Sequence, residues 1–461
     1  MLQGKHILVG ISGGIAAYKI PELIRLLRKA GAEVRVATTK NALEFVTELT
    51  LQTLSGYKVY SDVFAAINTH STEHISLPDW ADLMIIAPAT ANVLGKMANG
   101  IADDALTTTF CAMRKPVVIA PAMNDKMYQC PATQEAMRHL SGWDNITMLD
   151  CAEGELACGT TGRGRMQEPD ALLEAVYYAL TEKDLSGKRV LITAGPTQEK
   201  IDPVRYISNY STGKMGYALA RECYRRGAEV VLVSGPAQCA LPCVEYQGKP
   251  TPMLHKVSVG SAQEMYEACL QEFDHCDITI LCAAVADFMP ETTANQKIKK
   301  QPGQDTLCLT LKKTHDIAAT LGQQKRPDQT LVGFALETHN EEANAIHKME
   351  SKGLDMIVLN SLQDAGAGFA CDTNKVTIYY KDGHHTAYPL ASKAQVAGEI
   401  IQCIMHNAPI PHTKKAEPQS VPPFLLYIYP SYFSATERFC FGKLKWYATL
   451  MPTSTYPNLF T

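Results

Sequence analysis

The chain opens with a short apolar strand followed by an amphipathic helix. Residues 5–10 form the apolar run, and a glycine-containing turn leads from it into a helix with a 3.6-residue period. Gly31 is placed to end that helix, and residues 32–37 predict the next strand. The apolar positions of the helix are Ile20, Leu23, Ile24 and Leu27. Residues 83–87 and 117–120 predict further buried strands.

The same order of elements returns near residue 188. Residues 188–193 predict a strand, residues 195–196 a turn, and residues 216–226 a helix that Gly227 ends before a strand at residues 228–233. Later apolar runs predict strands at residues 278–283, 331–335 and 356–359, a β-hairpin from residues 376–380 and 384–388 around a turn at 382–383, and a helix at 393–406.

Two strand–turn–helix–strand units predict an α/β protein with two doubly wound Rossmann-like domains, the second with an added β-hairpin. The polar segment 181–187 separates them, so we expect domains at residues 1–184 and 185–408. Residues 409–461 contain many prolines and aromatics without sustained periodicity. We predict an irregular, poorly ordered or non-native tail there, and a partner-binding segment is the alternative.

Composition narrows the functional classes. The chain has 461 residues, 46% of them hydrophobic and 20% charged, with a net charge of −4. That balance gives no reason to expect nucleic acid or an anionic membrane as partner. The apolar runs are shorter than a membrane span, which predicts a cytoplasmic protein. The 14 cysteines include no C-x-x-C pair, which disfavours structural zinc.

Small polar residues follow several of the first predicted strands. The turn at residues 10–15 joins a strand to a helix, so free backbone N–H groups could bind a phosphate there. The turn lacks the G-x-G-x-x-G dinucleotide pattern, and a purely structural turn would look the same. Thr38 and Thr39 offer hydroxyls at the same sheet edge. A mononucleotide fits this arrangement better than a dinucleotide.

Two further segments add groups that could bind a substrate and deliver a proton. Asn124 follows the strand at residues 117–120, at the sheet edge where ligands of open α/β proteins bind. Cys158 lies in a glycine-containing polar loop, and a thiol with a pKa of about 8.5 can release a proton near neutral pH.

The motifs of the first half, taken in order, resemble the homo-oligomeric flavin-containing cysteine decarboxylases. They are Gly-Ile-Ser-Gly-Gly-Ile at residues 10–15, Ala-Pro-Ala-Thr-Ala-Asn at 87–92 and Pro-Ala-Met-Asn at 121–124. With Ala-Cys-Gly at 157–159, residues 1–180 resemble phosphopantothenoylcysteine decarboxylase of coenzyme A biosynthesis. The resemblance implies a flavodoxin-like first domain.

The same resemblance implies the site residues of this domain. His74 matches the family's catalytic histidine, Asn124 the asparagine that holds the substrate carboxylate, and Cys158 the thiol acid; Met123 is implied to bind substrate. The implied reaction oxidises the thiol end of the substrate with FMN to a thioaldehyde and releases CO2. The reduced flavin then returns hydride, and Cys158 protonates the enethiolate. The residues implied to bind FMN are Ser12, Gly13, Gly14, Thr38, Thr90 and Asn92.

The second half carries a polar segment, residues 202–216, before its first helix. Thr212-Gly213-Lys214 suggests a P-loop, but Ser208 stands where Walker A needs a glycine, and Met215 follows the lysine. We therefore predict an anion-binding helix start and not a P-loop nucleoside triphosphatase. The basic residues 297–300 are either a solvated face or, with Asp287, a site that gathers a triphosphate and a divalent ion.

Residues 185–407 resemble phosphopantothenate–cysteine ligase, through Asp-Pro-Val-Arg-Tyr-Ile-Ser-Asn at 202–209, Ala-Ala-Val-Ala-Asp at 283–287 and Lys-Ile-Lys-Lys at 297–300. The resemblance implies that Asn209 lies at an acyl-cytidylate intermediate and that Arg205 holds the pantothenate arm. His315 replaces a familiar proline, and Leu336 replaces a small residue. The implied CTP site is Ala283, Asp287, Lys297, His315, Asp316, Ile317, Phe334, Lys348 and Lys352, with Asp287 as the candidate ligand of Mg²⁺.

Together the two resemblances imply a bifunctional enzyme that uses 4′-phosphopantothenate, cysteine and CTP, and then FMN, to make 4′-phosphopantetheine. They also imply a homo-oligomer built on trimers of the decarboxylase domain. Two other functions stay open: a flavin-binding regulatory protein, and a dehydrogenase that uses a dinucleotide. The presence of His74, Asn124 and Cys158 disfavours the first, and the absent dinucleotide pattern disfavours the second.

Overall fold

The computed structural model describes most of the chain up to residue 407. The described residues are 2–64, 73–155, 159, 161–242, 244, 246–247, 254–299, 306–337, 339–361, 368 and 371–407. Cys158 and the tail at 409–461 therefore lie outside the described residues.

The first half contains seven strands, eight α-helices and two short 3₁₀ helices, Ile15–Lys19 and Lys40–Glu44, among its described residues. The strands are β1 (His6–Ile11), β2 (Glu33–Thr38), β3 (Leu83–Ala89), β4 (Val117–Pro121), β5 (Ile146–Met148), β6 (Ala152–Glu155) and β7 (Thr161–Arg165). The helices are α1 (Ile20–Lys29), α2 (Glu48–Ser55), α3 (Glu73–Trp80), α4 (Ala91–Ala98), α5 (Ala105–Ala112), α6 (Asp125–Tyr128), α7 (Pro131–Ser141) and α8 (Pro169–Leu180).

The first sheet is parallel throughout, in the order β2-β1-β3-β4-β5. This is the flavodoxin-like strand order, which confirms the predicted fold. Both faces of the sheet are covered, because successive residues of β3 enter opposite core clusters: Ile85 packs into one and Ile86 into the other. Burial on both faces explains why β3 and β4 are continuous apolar runs.

The second half begins at β8 (Arg189–Ala194). The other strands are β9 (Gln198–Lys200), β10 (Tyr206–Ser208), β11 (Glu229–Ser234), β12 (Leu254–Ser258), β13 (Ile278–Leu281), β14 (Phe288–Pro290), β15 (Leu311–Lys313), β16 (Thr330–Glu337), β17 (Met356–Ser361), β18 (Thr373–Tyr380) and β19 (His385–Ser392). The helices are α9 (Lys214–Arg225), α10 (Ala262–Phe273), α11 (Ile317–Gln324), α12 (Glu341–Ser351) and α13 (Lys393–Asn407).

The second sheet has eight strands in the order β12-β11-β8-β13-β16-β17-β18-β19. The strands from β12 to β17 are parallel, and β18 and β19 add the predicted antiparallel hairpin at one edge. The order changes direction between β8 and β13. In doubly wound sheets the crevice at such a point is where ligands bind.

Most predicted elements are confirmed within a few residues. Ile20, Leu23, Ile24 and Leu27 of α1 are all fully buried. Gly31 and Gly227 follow α1 and α9 at φ angles of 94° and 89°, a left-handed conformation that glycine adopts without steric cost. The prediction missed the short strands β5, β6, β7, β9, β10, β12, β14 and β15. No helix in the part of the chain described is long and apolar enough to cross a membrane.

A buried ion pair joins α8 of the first half to α9 of the second. The Arg225 guanidinium donates to both carboxylate oxygens of Glu174, at 2.6 and 2.7 Å. Only 13% and 10% of these two side chains is exposed, and the guanidinium lies 4.0 Å from the centre of the Tyr177 ring. Tyr178 packs beside Tyr224 in the same contact.

We expect Glu174→Ala to destabilise the protein by about 3–5 kcal/mol, because it leaves the Arg225 charge buried without its partner. The measurement is the free energy of unfolding in urea. Glu135→Ala is the matched control, since its ion pair with Arg138 lies on an exposed helix face and should change stability by less than about 1 kcal/mol. Equal effects of the two substitutions would contradict the prediction.

Candidate functional sites

The first cavity lies at the carboxyl ends of the parallel strands of the first sheet. It has a volume of about 1110 Å³, in the range of sites for cofactor-sized ligands. Its walls come from the segments that follow β1, β2, β3 and β4. Predicted site residues that line it are Gly13, Gly14, Thr90, Asn92, Met123 and Asn124.

The glycine turn after β1 is packed too closely to carry a side chain at Gly13. A Cβ atom there would lie 2.5 Å from the Cβ of Asn41, in the segment after β2. The preceding Ser12 is fully buried: its hydroxyl donates to the carbonyl of Pro88 at 2.7 Å and accepts from the Thr90 N–H at 3.1 Å. Ser12 therefore holds the turn to the segment after β3 and does not itself line the cavity.

Two threonine hydroxyls at the end of β2 are buried without a hydrogen-bond partner. They belong to Thr38, which is fully buried, and to Thr39, which lines the cavity. An unpaired buried hydroxyl costs about 1–3 kcal/mol, so a polar ligand that paired with it would recover this free energy. Thr90 and Asn92 add the amino-terminal end of α4, which favours anions.

Asn124 begins α6 and lies beside the β6–β7 hairpin. Its Oδ1 accepts from the Lys126 N–H at 3.0 Å, which fixes the side chain at the start of the helix. The neighbouring Met123 N–H donates to the Gly164 carbonyl at 3.0 Å. A Cβ at Gly164 would lie 2.3 Å from the Met123 carbonyl oxygen, so only glycine permits this approach.

The structure does not bring every predicted residue of this site together. His74 is the second residue of α3 and is half-buried, but it is not among the described residues that line the cavity. Cys158 lies outside the described residues. Glu155, at the end of β6, lines the cavity.

The second cavity lies at the carboxyl edge of the eight-stranded sheet, where the strand order reverses. Its volume is about 670 Å³. Predicted site residues that line it are Asn209, Ala283, Asp287, His315, Asp316, Ile317, Phe334, Lys348 and Lys352. These residues come from both sides of the reversal between β8 and β13.

Asn209 connects two loops of this cavity. Its Nδ2 donates to the carbonyl oxygens of Ala284 and Val285, each at 3.1 Å. The loop after β10 is thereby held against the loop after β13. The amide is fixed at the point where the two halves of the doubly wound sheet diverge.

Asp316 forms the amino-terminal cap of α11 and an ion pair with Lys352. Its carboxylate accepts from the Ala319 N–H at 3.0 Å, and the Lys352 ammonium lies 3.0 Å from its Oδ2. Burial raises the pKa of Asp316, but this hydrogen bond and the charges of Lys352 and Lys348 outweigh burial and leave the pKa below its ordinary value. The carboxylate is therefore ionised and partly neutralises the two lysines.

Two predicted residues of the second site lie away from the cavity lining. Lys297 is exposed and is not among the described lining residues. Arg205 instead donates from Nε to Asp202 at 2.9 Å and from its terminal nitrogen to the Ile298 carbonyl at 2.9 Å. Asp202 accepts from the Ile298 N–H at 3.1 Å, so it anchors the basic segment to the loop before β10.

Asp287 lines the cavity, but few other side chains that could bind a metal ion are described near it. No group of three or more His, Cys, Asp or Glu side chains could hold a metal ion within the ranges that the structure describes. Mg²⁺ is usually bound by one or two carboxylates together with substrate phosphates. Among the described residues, Asp287 supplies one carboxylate of the kind that such a site uses.

The polar residues that line the second cavity and that were not predicted as site residues include Lys214, Asn360, Asn374 and Lys393. Lys214 lies in a segment that the sequence did mark as an anion-binding helix start. The other three come from the end of β17, the start of β18 and the start of α13, which are distant in sequence. Only the pairing of β17, β18 and β19 brings them to one edge.

Comparison with known proteins decides the family. The family models described as "Flavoprotein" and "DNA/pantothenate metabolism flavoprotein C-terminal domain" match residues 1–181 and 185–407. The coenzyme A biosynthesis bifunctional protein CoaBC of Bacillus subtilis (strain 168) is 48% identical over 405 residues, covering 87% of this chain and 97% of that protein. The chain belongs to this bifunctional family.

Other members and a solved structure are also similar to this chain. The CoaBC protein of Vibrio vulnificus (strain YJ016) is 45% identical over 404 residues, covering 87% of this chain and 98% of that protein. The crystal structure of the C-terminal domain of a CoaBC protein is 41% identical, covers 49% of this chain and 97% of that chain, and gives a TM-score of 0.39.

The two departures from the ligase pattern have different structural settings in this CoaBC family member. His315 stacks on Tyr266 of α10, with ring centres 4.8 Å apart and an interplanar angle of 22°. A proline at this position would lack the aromatic ring of this stack. Leu336 lines the second cavity directly.

We expect the stabilising effect of Asp202 to depend on pH. The hydrogen bond from Arg205 is the largest cause that holds the pKa of Asp202 below its ordinary value; burial opposes it, and the N–H groups of Val204 and Ile298 add to it. Because the folded-state pKa is depressed, the stabilisation is complete above the ordinary value of about 4 and is lost as the pH falls through the folded value.

The measurement is the free energy of unfolding of the wild type and of Asp202→Asn between pH 7 and pH 3. The substitution keeps the shape of the side chain and removes its charge. The difference between the two proteins should stay constant from pH 7 to about pH 4 and shrink below that value. A difference that stays constant down to pH 3 would exclude the ionised carboxylate as its source.

Proposed function

We propose that this chain joins cysteine to 4′-phosphopantothenate with CTP in its second half, and decarboxylates the product with FMN in its first half. The observation that carries the proposal is the 48% identity to a bifunctional coenzyme A biosynthesis protein along 97% of that protein's length. The two halves of this chain that match the relative each have a cavity at the carboxyl ends of parallel strands. We propose the corresponding domains at residues 1–184 and 185–408.

The residues of the first cavity fit a flavin mononucleotide. Gly13 allows the ligand close to the backbone of the turn, and the unpaired hydroxyl of Thr39, which lines the cavity, offers a hydrogen bond to its polar groups. Thr38 is fully buried beside it and does not line the cavity. Bound FMN would supply reversible hydride transfer. The residues that would hold FMN are Gly13, Gly14, Thr38, Thr90 and Asn92. Ser12 would act indirectly, because its hydrogen bonds hold the turn to the segment after β3.

In the decarboxylation, Asn124 would orient the substrate carboxylate, since an amide donates hydrogen bonds without adding a charge. His74 would accept and return protons at the thiol end, because an imidazole can act both as a proton acceptor and as a proton donor. Once the thiol-bearing carbon is oxidised, CO2 leaves readily because the remaining electron pair delocalises onto sulfur. Cys158 would then give a proton to the carbon that lost CO2, and return of the hydride to the thiol-bearing carbon would restore the thiol, so that the two electrons removed in the first step are given back.

The separation of His74 from the cavity supports an oligomeric site. The side chain lies on α3, outside the lining of this chain's own cavity. We propose that a homo-oligomer built on trimers completes the site, with His74 of a neighbouring subunit facing Asn124. The exposed apolar side chains of Tyr18, Phe64 and Ile75 in the same half would be covered by such an assembly.

In the ligation, a carboxylate oxygen of 4′-phosphopantothenate attacks the α-phosphorus of CTP, and pyrophosphate leaves. The cysteine amine then attacks the acyl carbon, loses a proton, and displaces CMP. Asn209 would hold the acyl-cytidylate, and Arg205 would help to bind the pantothenate arm of the substrate. The CTP residues would be Ala283, Asp287, Lys297, His315, Asp316, Ile317, Phe334, Lys348 and Lys352, with Mg²⁺ carried mainly by the phosphates.

We expect Gly13→Ala to lose most of its flavin, because the new methyl group would collide with Asn41 beside the ligand. The measurement is the FMN absorbance of the purified protein per chain. Gly95→Ala is the matched control, since a Cβ at that helical position meets no atom within 4 Å. A fully yellow Gly13→Ala protein would contradict the assigned turn, and bound NAD in the wild type would favour a dehydrogenase.

We expect the full reaction to release CMP and CO2 in sequence from CTP, cysteine and 4′-phosphopantothenate. Cys158→Ser should still release both, but should accumulate an enethiol or oxidised intermediate in place of 4′-phosphopantetheine, because the proton donor is lost. Product identity by mass spectrometry checks this. Normal 4′-phosphopantetheine from the variant would contradict the acid role, and no CO2 from the wild type would favour a flavin-binding regulator.

We expect Asn209→Asp to stop at the cytidylate, because a carboxylate cannot donate to the carbonyls of Ala284 and Val285, so the two loops would no longer be held in place for the attack by cysteine. Pyrophosphate release without cysteine should persist as at most one equivalent per site, while CMP formation with cysteine falls by about a hundredfold or more. Quenched-flow measurement of both products checks this. Turnover at the wild-type rate would remove Asn209 from the site.

A further inference from the structure

One corner of the second cavity, which we call the amide recess, is formed by Asn360, Asn374 and Lys393. Asn360 ends β17 and pairs with Val376 of β18, while Asn374 pairs with Ala391 of β19, two residues before Lys393. The antiparallel hairpin therefore carries all three residues to the same edge of the sheet, and all three line the cavity.

The two amides of the recess each contain a buried oxygen without a hydrogen-bond donor. They are Oδ1 of Asn360 and Oδ1 of Asn374, and only 2% of Asn374 is exposed. The Asn374 Nδ2 faces the Met215 sulfur at 4.0 Å, a weak acceptor, so little free energy opposes rotation of this amide toward the cavity. A ligand with several N–H donors would satisfy both oxygens.

The third member of the recess supplies positive charge. Lys393 is 7% exposed, and its ammonium donates to the carbonyl oxygens of Gly368, at 2.9 Å, and of Cys371. Burial lowers the pKa of Lys393, and the nearby charge of Lys214 lowers it further. Lys214 is itself paired with Asp372 at 2.7 Å. An anion beside Lys393 would relieve the cost of burying its charge.

A recess with two amide oxygens and one buried ammonium matches a zwitterion better than a polyanion. A triphosphate brings only acceptors, so it would repel the two amide oxygens. A free amino acid brings an ammonium with three donors and a carboxylate on the neighbouring carbon. The two lysines near Asp316, which are Lys348 and Lys352, come from a different element, the last turn of α12 and the residue that follows it.

We propose that the amide recess binds the amino-acid substrate of the ligase, with Asn360 and Asn374 accepting from its amino group and Lys393 pairing with its carboxylate. This inference rests on the proposed ligase function and adds a location for the cysteine. It gives the carboxylate a recognition group, so the enzyme would prefer cysteine to cysteamine, which has the same amine and thiol without the carboxylate.

The test compares KM for cysteine and for cysteamine at saturating CTP and 4′-phosphopantothenate, following CMP. Asn374→Leu should raise both KM values by about tenfold, because it removes an acceptor for the shared amino group. Lys393→Met should raise the KM for cysteine by a similar factor and leave that for cysteamine nearly unchanged. Both variants should retain pyrophosphate release in the absence of an amine.

Asn344→Ala, at an exposed position of α12 outside the cavity, is the control and should behave as wild type. Asn374→Asp keeps a hydrogen-bond acceptor, so the KM values for cysteine and cysteamine should stay low. This result would show that Asn374→Leu acts through loss of the acceptor and not through misfolding. Unchanged amine KM values in Asn374→Leu would overturn the proposal, as would a raised KM for CTP in Lys393→Met.

Failure of the recess and failure of the ligase function give different results. A wild type that releases no pyrophosphate from CTP and 4′-phosphopantothenate would overturn the proposed ligase. Equilibrium dialysis of radiolabelled cysteine tests the recess without the reaction: binding to wild type that weakens about tenfold in Asn374→Leu supports it, and equal binding to both proteins overturns it.

Discussion

The parallel pairing of neighbouring strands is the constraint from which both candidate sites follow. Because β1 pairs in the same direction with β2 and β3, and β8 with β11 and β13, every loop after these strands leaves from one edge. Residues far apart in sequence, such as Asn209 and Lys348, reach one cavity for this reason. Apolar burial on both faces fixes the strands and leaves only the carboxyl edge for polar chemistry.

Sequence periodicity predicted the central strands well, because burial on both faces requires continuous apolar runs. It missed β6 and β7, since Ala152–Glu155 and Thr161–Arg165 contain almost no apolar side chains. These strands are held by pairing with each other and by the close approach of Gly164 to Met123. Such contacts involve backbone atoms and leave no hydrophobic pattern.

The candidate sites show the same division. Loops directly after strong strands, with Thr90, Asn124 or Asp287, could be assigned to a cavity from the order of the elements. Lys393 could not, because its position depends on the register of β18 with β19. Arg205 and Lys297 were matched by motif alone, and within this chain Arg205 contacts Asp202 and Lys297 faces solvent. The roles assigned to individual residues stay predictions.

The contact between α8 and α9 bears on how this chain could be divided. A cut within residues 181–187 would uncover Tyr177 and Tyr178 on one fragment and Tyr224 on the other, along with the opposite charges of Glu174 and Arg225. Two fragments whose exposed surfaces carry these aromatic side chains and opposite charges would re-associate when mixed. Anyone who expresses a single half for screening or crystallisation would therefore gain by replacing these aromatic side chains with soluble ones.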